Sequence, residues 1–406
     1  MEGKRLIRSL KLTNFLSFGS EGKEIELEPL NVLIGPNASG KSNFIEAFAI
    51  LNATTWDLAA TIGHGGGAAE WLWKGTQHTP HAGIEILLEY PPIAVPLRYR
   101  LAFTEVGQLV QIVDEVLEDG RSRLPGTGDV EFYYRYLGGR AVLNRLVEPG
   151  QRVPFGYATA ATQIPGFSAF RADQSILAQV QDLHSYPELA YTYFAFRGVQ
   201  FYREGNIGRH AAPRQSQPAD LPGHVLMEDA ANLARMINEL ENKGLRQSIL
   251  DRLRKVHEAA VDVTVKTEAN TVQLFLHERG LSRPVPARRL SDGTLRYLGL
   301  LSILCHPEPW PLVCLEEPEL GLHPDVISDV AELLIEASQR TQLIVTTHSD
   351  ILVSALSEVP EAVIVCERDD AGTHLKRLDP ESLKKWLEDY TLGQLWTMGE
   401  IGGTRW

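Results

Sequence analysis

An α/β fold built around a phosphate-binding loop is predicted by three stretches of the sequence. The first is the apolar run Leu30–Ile34, which leads into "GPNASGKS" at 35–42 and then a helical pattern. The second, "PLVCLEEPELGLHP" at 311–324, is an apolar run ending on two adjacent glutamates and a proline-punctuated turn. The third, "QLIVTTHSD" at 342–350, is an apolar strand that ends in polar residues. From 290 to about 367 strands and helices alternate, the pattern of a parallel-sheet lobe.

The other elements follow in chain order. Residues 4–34 read as two or three strands, and an apolar-periodic helix runs from Lys41 to about Ala60. "GHGGGAAEWLWKG" at 63–75 reads as a flexible glycine-rich loop. Between 81 and about 148 the alternation in "HAGIEILLEY", "LRYRLAFTEV" and "LVQIVDEVLED" predicts four or five antiparallel strands. A helical region is expected over about 174–258, broken by the loop at 203–223, with one helix at 226–244 closed by a glycine. Strands return at 261–277. The expected organisation is an N-terminal lobe with a β-rich insert at 1–165, a helical insertion or arm at 166–260, and a C-terminal lobe at 261–406. No stretch sustains the heptads of a long coiled coil.

Composition bounds the function. The chain has 406 residues, of which 44% are hydrophobic and 22% charged, ordinary values for a soluble globular protein. The formal net charge of −13 argues against non-specific coating of nucleic acid, although a local basic surface is compatible with it. Cys305, Cys314 and Cys366 lie in apolar contexts without CxxC spacing and read as reduced thiols. The polar N-terminus does not resemble a signal peptide, and no apolar run reaches ~18 residues, so a cytoplasmic location is expected.

"GPNASGKS" fits G-x-x-x-x-G-K-[ST] in the strand–loop–helix context that the chemistry needs. Glycines let backbone N–H groups curl around phosphates, Lys41 supplies positive charge, and the Ser42 hydroxyl suits Mg²⁺. In "RRLSDGTLRYLGLLSIL" at 288–304, Ser291 can cap a helix and Gly293 permits close backbone approach, so an anion could be received there. An ordinary capped helix would carry the same residues. Glu316 and Glu317 end one strand and His348 another, an order consistent with a metal-supporting acid, a catalytic carboxylate and a γ-phosphate sensor.

The ordered set GPNASGKS, LSDGT, CLEEPELGLHP and TTHS resembles the ABC-type ATPase heads of the SMC/RecF/OLD group. "LKLTNFLSFG" at 10–19 resembles that group's first strand and adenine-side loop, and "GKSNFIEA" is closer to SMC and RecF loops than to transporters. Nearly the whole chain resembles stand-alone bacterial AAA15/AAA21-like ATPases. The resemblance implies a P-loop NTPase fold, with ATP and Mg²⁺ as cofactors. It implies that Gly35, Asn37, Ala38, Ser39, Gly40, Lys41, Ser42 and Asn43 hold phosphates, with Asn14, Phe15 and Ser17 near the adenine. Ser42 and Glu316 would support the metal, with Gln174 as Q-loop residue and Gln179 as its rival. Glu317 would polarise the attacking water, assisted by Lys41 and His348. Ser291, Asp292 and Gly293 would reach ATP on a second copy, which makes a head-to-head homodimer the expected competent form; Asp292 and Thr294 depart from the usual LSGGQ.

For partners, the resemblance implies double-stranded DNA, with Arg203, Arg209, His210 and Arg214 in one loop, or a separately encoded Toprim-like effector in DNA repair or phage defence. A solvated loop would explain the same charges. The tail "LWTMGEIGGTRW", with Trp396 and Trp406, reads equally as a docking peptide or as a segment packed on its own lobe. Glu319 and His323 are expected near the dimer seam. A nucleotide-dependent sensor or scaffold, or a transporter-type subunit, are the alternative readings; the SNFIEA continuation and the β-rich insert speak against the transporter.

Overall fold

The structure is a computed structural model that describes residues 3–75, 81–92, 95–121, 132–137, 140–148, 151–157, 171–180, 184–203 and 208–403. Its centre is a six-stranded sheet: β1 (Leu30–Ile34), β2 (Val199–Tyr202), β3 (Leu312–Glu316), β4 (Gln342–Thr346), β5 (Val363–Asp369) and β6 (Gly372–Arg377). The spatial order is β2-β3-β4-β1-β5-β6, parallel except for the β5–β6 hairpin. Alternate residues of these strands enter two separate cores. Leu33, Cys314, Ile344 and Ile364 join one, whereas Val32, Leu315, Val345 and Val365 join the other. That explains why the strands read as unbroken apolar runs: both faces are covered.

One face carries α1 (Lys41–Ala53), α2 (Leu58–His64) and an eight-stranded antiparallel sheet formed by segments between Ile7 and Tyr157. The strands Ala82–Leu88, Leu97–Val106 and Leu109–Asp119 bear out the predicted antiparallel insert, and they share a sheet with the N-terminal strand Ile7–Thr13. The other face carries α3 (Asp292–Leu304), α4 (Pro324–Ser338) and a small sheet around Ala260–Glu268 and Thr271–Glu278. Then come α5 (Asp350–Ser354) and α6 (Leu392–Met398).

The phosphate-loop strand β1 lies between β4 and β5, so the parallel sheet is shared by both ends of the sequence. Gln342 ties the two sheets: its side-chain oxygen accepts from the backbone N–H of Ile7 at 2.8 Å, and its amide donates to the Ile7 carbonyl at 2.8 Å. The stretch expected as a helical arm contains β2, which sits in the central sheet. The boundary expected at 165–166 lies outside the described residues. The segment at 63–75 packs as a short helix with Trp71, Leu72 and Trp73 buried, because three adjacent large apolar side chains outweigh the local glycines. Helix starts also shift. The helix expected at 226–244 spans Leu233–Asn242, and the first helix stops at Ala53, where Asp57 caps α2 by accepting from the Ala60 N–H. In the tail, Trp396 is buried and its indole N–H donates to the Gly403 carbonyl at 3.0 Å. The described tail thus packs on its own lobe, and Trp406 lies outside the described residues.

Candidate functional site

The C-terminal ends of β1, β3 and β4 adjoin, and the predicted nucleotide motifs leave the sheet there. After β1 the chain turns through Gly35 (φ 147°), Ala38 (φ 65°) and Gly40 (φ 104°) before entering α1. Packing as well as backbone conformation requires these glycines. A Cβ on Gly35 would lie 2.3 Å from the Cys366 carbonyl of β5, and one on Gly40 would lie 2.3 Å from Thr373 Oγ1 of β6. Lys41 is buried and donates to the carbonyls of Gly35 at 2.8 Å and Pro36 at 3.0 Å, holding the loop closed around its own ammonium. Burial lowers its pKa, opposed by the nearby carboxylate of Glu317.

This loop is fitted for an anion. The N-terminus of α1 has no side-chain cap and no acidic residue in its first turn, so its first N–H groups and the positive end of its dipole face the loop. The Ser39 hydroxyl is buried without a hydrogen-bond partner, a further group for a ligand to satisfy. Asn37 and Ala38 are exposed at the tip, and Ser42 and Asn43 begin the helix.

Ser42 Oγ donates to Glu316 Oε2 at 3.1 Å, which places two oxygen donors side by side at the strand end. Such an all-oxygen pair suits Mg²⁺. Burial raises the Glu316 pKa, with Arg203 and Ser42 pulling it back. Glu317 turns out of β3 with φ 45°, a left-handed conformation that is costly for a residue with a Cβ. Its N–H donates to the Thr346 carbonyl at 3.0 Å, and its Oε1 lies 3.8 Å from His348 Nε2. Glu319, expected near the dimer seam, is buried. Its Oε1 accepts from Thr347 Oγ1 and from the His348 N–H at 3.1 Å, so it fixes the histidine's backbone. His323 is exposed and caps α4, accepting from the Asp325 N–H at 3.3 Å.

At α3, Ser291 caps its own helix, accepting from the Thr294 N–H at 3.1 Å and sharing a hydrogen bond with Thr294 Oγ1 at 2.7 Å. Ser291 and Asp292 are exposed. A Cβ on Gly293 would come 3.1 Å from the Gly321 carbonyl, so glycine lets α3 lie against the turn after Glu317. Arg296 of α3 donates to the Leu320 carbonyl of the same turn.

The expected adenine-side residues are buried, and the expected Q-loop glutamines bond within the fold. Phe15 is fully buried against Trp71 and offers no face to a base. Asn14 and Ser17 are buried too; Ser17 Oγ accepts from Thr373 Oγ1 at 2.8 Å, while Asn14 Oδ1 is buried without a hydrogen-bond partner. Gln174 donates to Asp57 Oδ1 at 2.8 Å, beyond the C-terminal end of α1, and a 13-residue helix puts ~20 Å between that end and Ser42. Gln179 turns back on the Arg171 and Gln174 carbonyls. Neither glutamine joins the metal-supporting pair.

The basic loop also divides. Arg214 is buried and donates to the Leu290 carbonyl at 2.6 Å and to Asp292, fastening the start of α3. Arg203 turns into the site, where Nη1 donates to Glu46 Oε1 at 2.7 Å and Nε lies 3.5 Å from Glu316 Oε1. Only Arg209 and His210 of the four remain exposed. Sequence reasoning missed Glu46 and read Arg203 as one of the basic residues of a DNA-facing loop. The available signal was Glu46 standing four residues after Ser42, on the same helix face.

Comparisons with known proteins give the family and the fold. Residues 30–130 and 181–354 match the family described as "AAA domain, putative AbiEii toxin, Type IV TA system". The Old nuclease of Escherichia phage P2 is 27% identical over 179 residues, covering 40% of this chain and 30% of the nuclease. The chain thus matches less than a third of that relative's length. A crystal structure of an Smc head bound to the C-winged helix domain of ScpA superposes with a TM-score of 0.55 at 16% identity, covering 94% of this chain and 100% of the other. An Smc head with an extended coiled coil, bound to the C-terminal domain of ScpA derived from Pyrococcus furiosus, gives 0.52 at 14% identity over 95% and 99%. At these identities the likeness shows the fold, that of SMC-type P-loop ATPase heads. Among the described residues no helix is long and apolar enough to cross a membrane.

Proposed function

Because the chain belongs to this AAA-domain family, within the ABC-type ATPases of the SMC/RecF/OLD group, we propose that it binds ATP with Mg²⁺ and hydrolyses it slowly as a molecular switch. The observation that carries the reading is the convergence of an uncapped α1, a buried Lys41 and the Glu317–His348 pair on adjoining strand ends. Open α/β sheets bind ligands at the carboxyl ends of their strands.

Phosphoryl transfer asks mainly for positioning and charge. Lys41 and the open N–H groups of α1 hold the phosphates; Ser42 and Glu316 would hold Mg²⁺, which would supply charge neutralisation there. Glu317 orients water and takes its proton, and the strained backbone that turns it outward supports that role. His348 senses the terminal phosphate, with its backbone fixed by Glu319.

The exposed, self-capped start of α3 supports a second proposal: Ser291, Asp292 and Gly293 meet ATP held by another copy, so the working form is a head-to-head dimer. We further propose that opening and closing of this dimer drives a separately encoded effector in DNA repair or phage defence, in line with the partial likeness to the Old nuclease. Duplex DNA is a proposed partner, with Arg209 and His210 as the basic groups this loop still exposes. The test is phosphate release with ATP and Mg²⁺, alongside ATP binding by titration calorimetry. Turnover that Glu317→Gln removes while binding persists is the expected result. Binding without turnover in the native protein would reduce the protein to a nucleotide sensor. Duplex DNA binding that ignores both ATP and salt would remove the DNA proposal.

A further inference from the structure

We propose that Arg203 is the resident counter-cation of the Ser42–Glu46–Glu316 cluster, and that it restricts divalent-cation binding there to cations arriving with a triphosphate. The triphosphate part rests on the nucleotide reading above, whereas the exchange of one cation for another rests on side-chain geometry alone.

Three elements build the cluster. Ser42 and Glu46 stand one turn apart on the same face of α1. Glu316 closes β3, and its Oε2 accepts from Ser42 Oγ at 3.1 Å. The parallel register of β2 against β3 sets Tyr202 opposite Leu315, so the next residue, Arg203, is delivered to the level of Glu316. Its guanidinium then spans both acids, 2.7 Å from Glu46 Oε1 through Nη1 and 3.5 Å from Glu316 Oε1 through Nε. It also lies 5.5 Å from the centroid of the Phe201 ring, a cation–π contact that holds its plane.

A guanidinium keeps its charge at any accessible pH and bridges carboxylates through a rigid fork. Here its single charge offsets part of the negative charge of Glu46 and Glu316, in a half-buried setting where charges interact more strongly than in water. A free divalent cation must therefore displace a charge-assisted hydrogen bond and share the site with a fixed positive charge. A bound triphosphate changes that balance, because its oxygens ligate the metal and offer the guanidinium a second anionic partner. The same residue that would otherwise count as a solvent-facing DNA contact thus sets the order in which ligands enter.

The test is Mn²⁺ titration of the nucleotide-free protein, read by electron paramagnetic resonance, for native, Arg203→Gln and Arg203→Lys chains. Native and Arg203→Lys proteins are expected to bind Mn²⁺ weakly. Arg203→Gln is expected to bind it at least ~10-fold more tightly, since one nearby positive charge is removed. With a non-hydrolysable ATP analogue the native and Arg203→Gln affinities are expected to converge to within ~3-fold, because the triphosphate then supplies most of the ligand charge. The Lys variant separates loss of charge from general disturbance of the fold. Equal Mn²⁺ affinity in native and Arg203→Gln proteins without nucleotide would overturn the proposal, and so would tight binding by the native protein. Tighter Mn²⁺ binding in Arg203→Gln with no nucleotide binding in any variant would uphold the counter-cation and reject the ATP reading. Nucleotide binding with unchanged Mn²⁺ affinity would do the reverse.

Discussion

Two helix N-termini face the nucleotide chemistry of this fold, and they are finished in opposite ways. At α1 the cap residue is Gly40, no side chain accepts from the first turn, and the Ser39 hydroxyl is left without a partner. At α3, Ser291 accepts from its own Thr294 N–H, and Arg214 fastens Leu290 and Asp292 from behind. The first terminus has unmet hydrogen-bonding capacity inside one chain and is ready for an anion. The second has already satisfied its hydroxyl and points outward. On the proposed shared-site reading, nucleotide binding within one chain and engagement of Ser291 by a second copy are separable steps.

The difference between the termini can be broken most severely at α1. Replacing Lys41 by Ala is expected to weaken ATP binding at least ~100-fold by calorimetry, since a charge-assisted phosphate contact disappears from a buried site. Retained affinity would mean that the loop does not hold phosphate. Next in size, Glu317→Gln is expected to leave ATP affinity within a few-fold while phosphate release falls by ~10²–10⁴, the usual worth of a general base. A milder effect is expected at α3. Ser291→Ala should cost about 1 kcal/mol in urea unfolding through the lost cap. It should spare ATP binding to the single chain and abolish ATP-driven association. If ATP binding fell along with association, the two termini would not be separable. The smallest effect belongs to Gln174→Ala, because that amide caps nothing in the site and lies beyond the far end of α1. Turnover within ~2-fold of native is expected for a change this distant, and a larger loss would return Gln174 to the metal.

Legibility in the sequence followed the range of the interactions. "GPNASGKS" was readable because strand, turn and helix are consecutive, and the antiparallel insert because period-two alternation needs only neighbours. Glu316, Glu317 and His348 were readable as polar ends of apolar strands, and the structure brings them together through the pairing of β3 with β4. The role of Arg203 was not readable. It follows a four-residue strand in a stretch with helical neighbours, and its acidic partners are Glu46 and Glu316, far away in the chain. The burial of Phe15 was not readable for a related reason. The resemblance implied a place near the adenine, and Trp71, on a segment read as a flexible glycine loop, packs against it. Burial is set by what arrives from elsewhere, and local composition does not report it.

Because the account turns on one chain holding the nucleotide while a second completes the site, its most direct test is the mass of the Glu317→Gln protein in solution. Sedimentation should give the single-chain mass of 45.1 kDa without nucleotide and twice that with saturating ATP and Mg²⁺. Restoring the single-chain mass by adding Ser291→Ala would confirm that the signature end makes the contact. A Glu317→Gln protein that binds ATP and stays at 45.1 kDa would contradict the shared-site account.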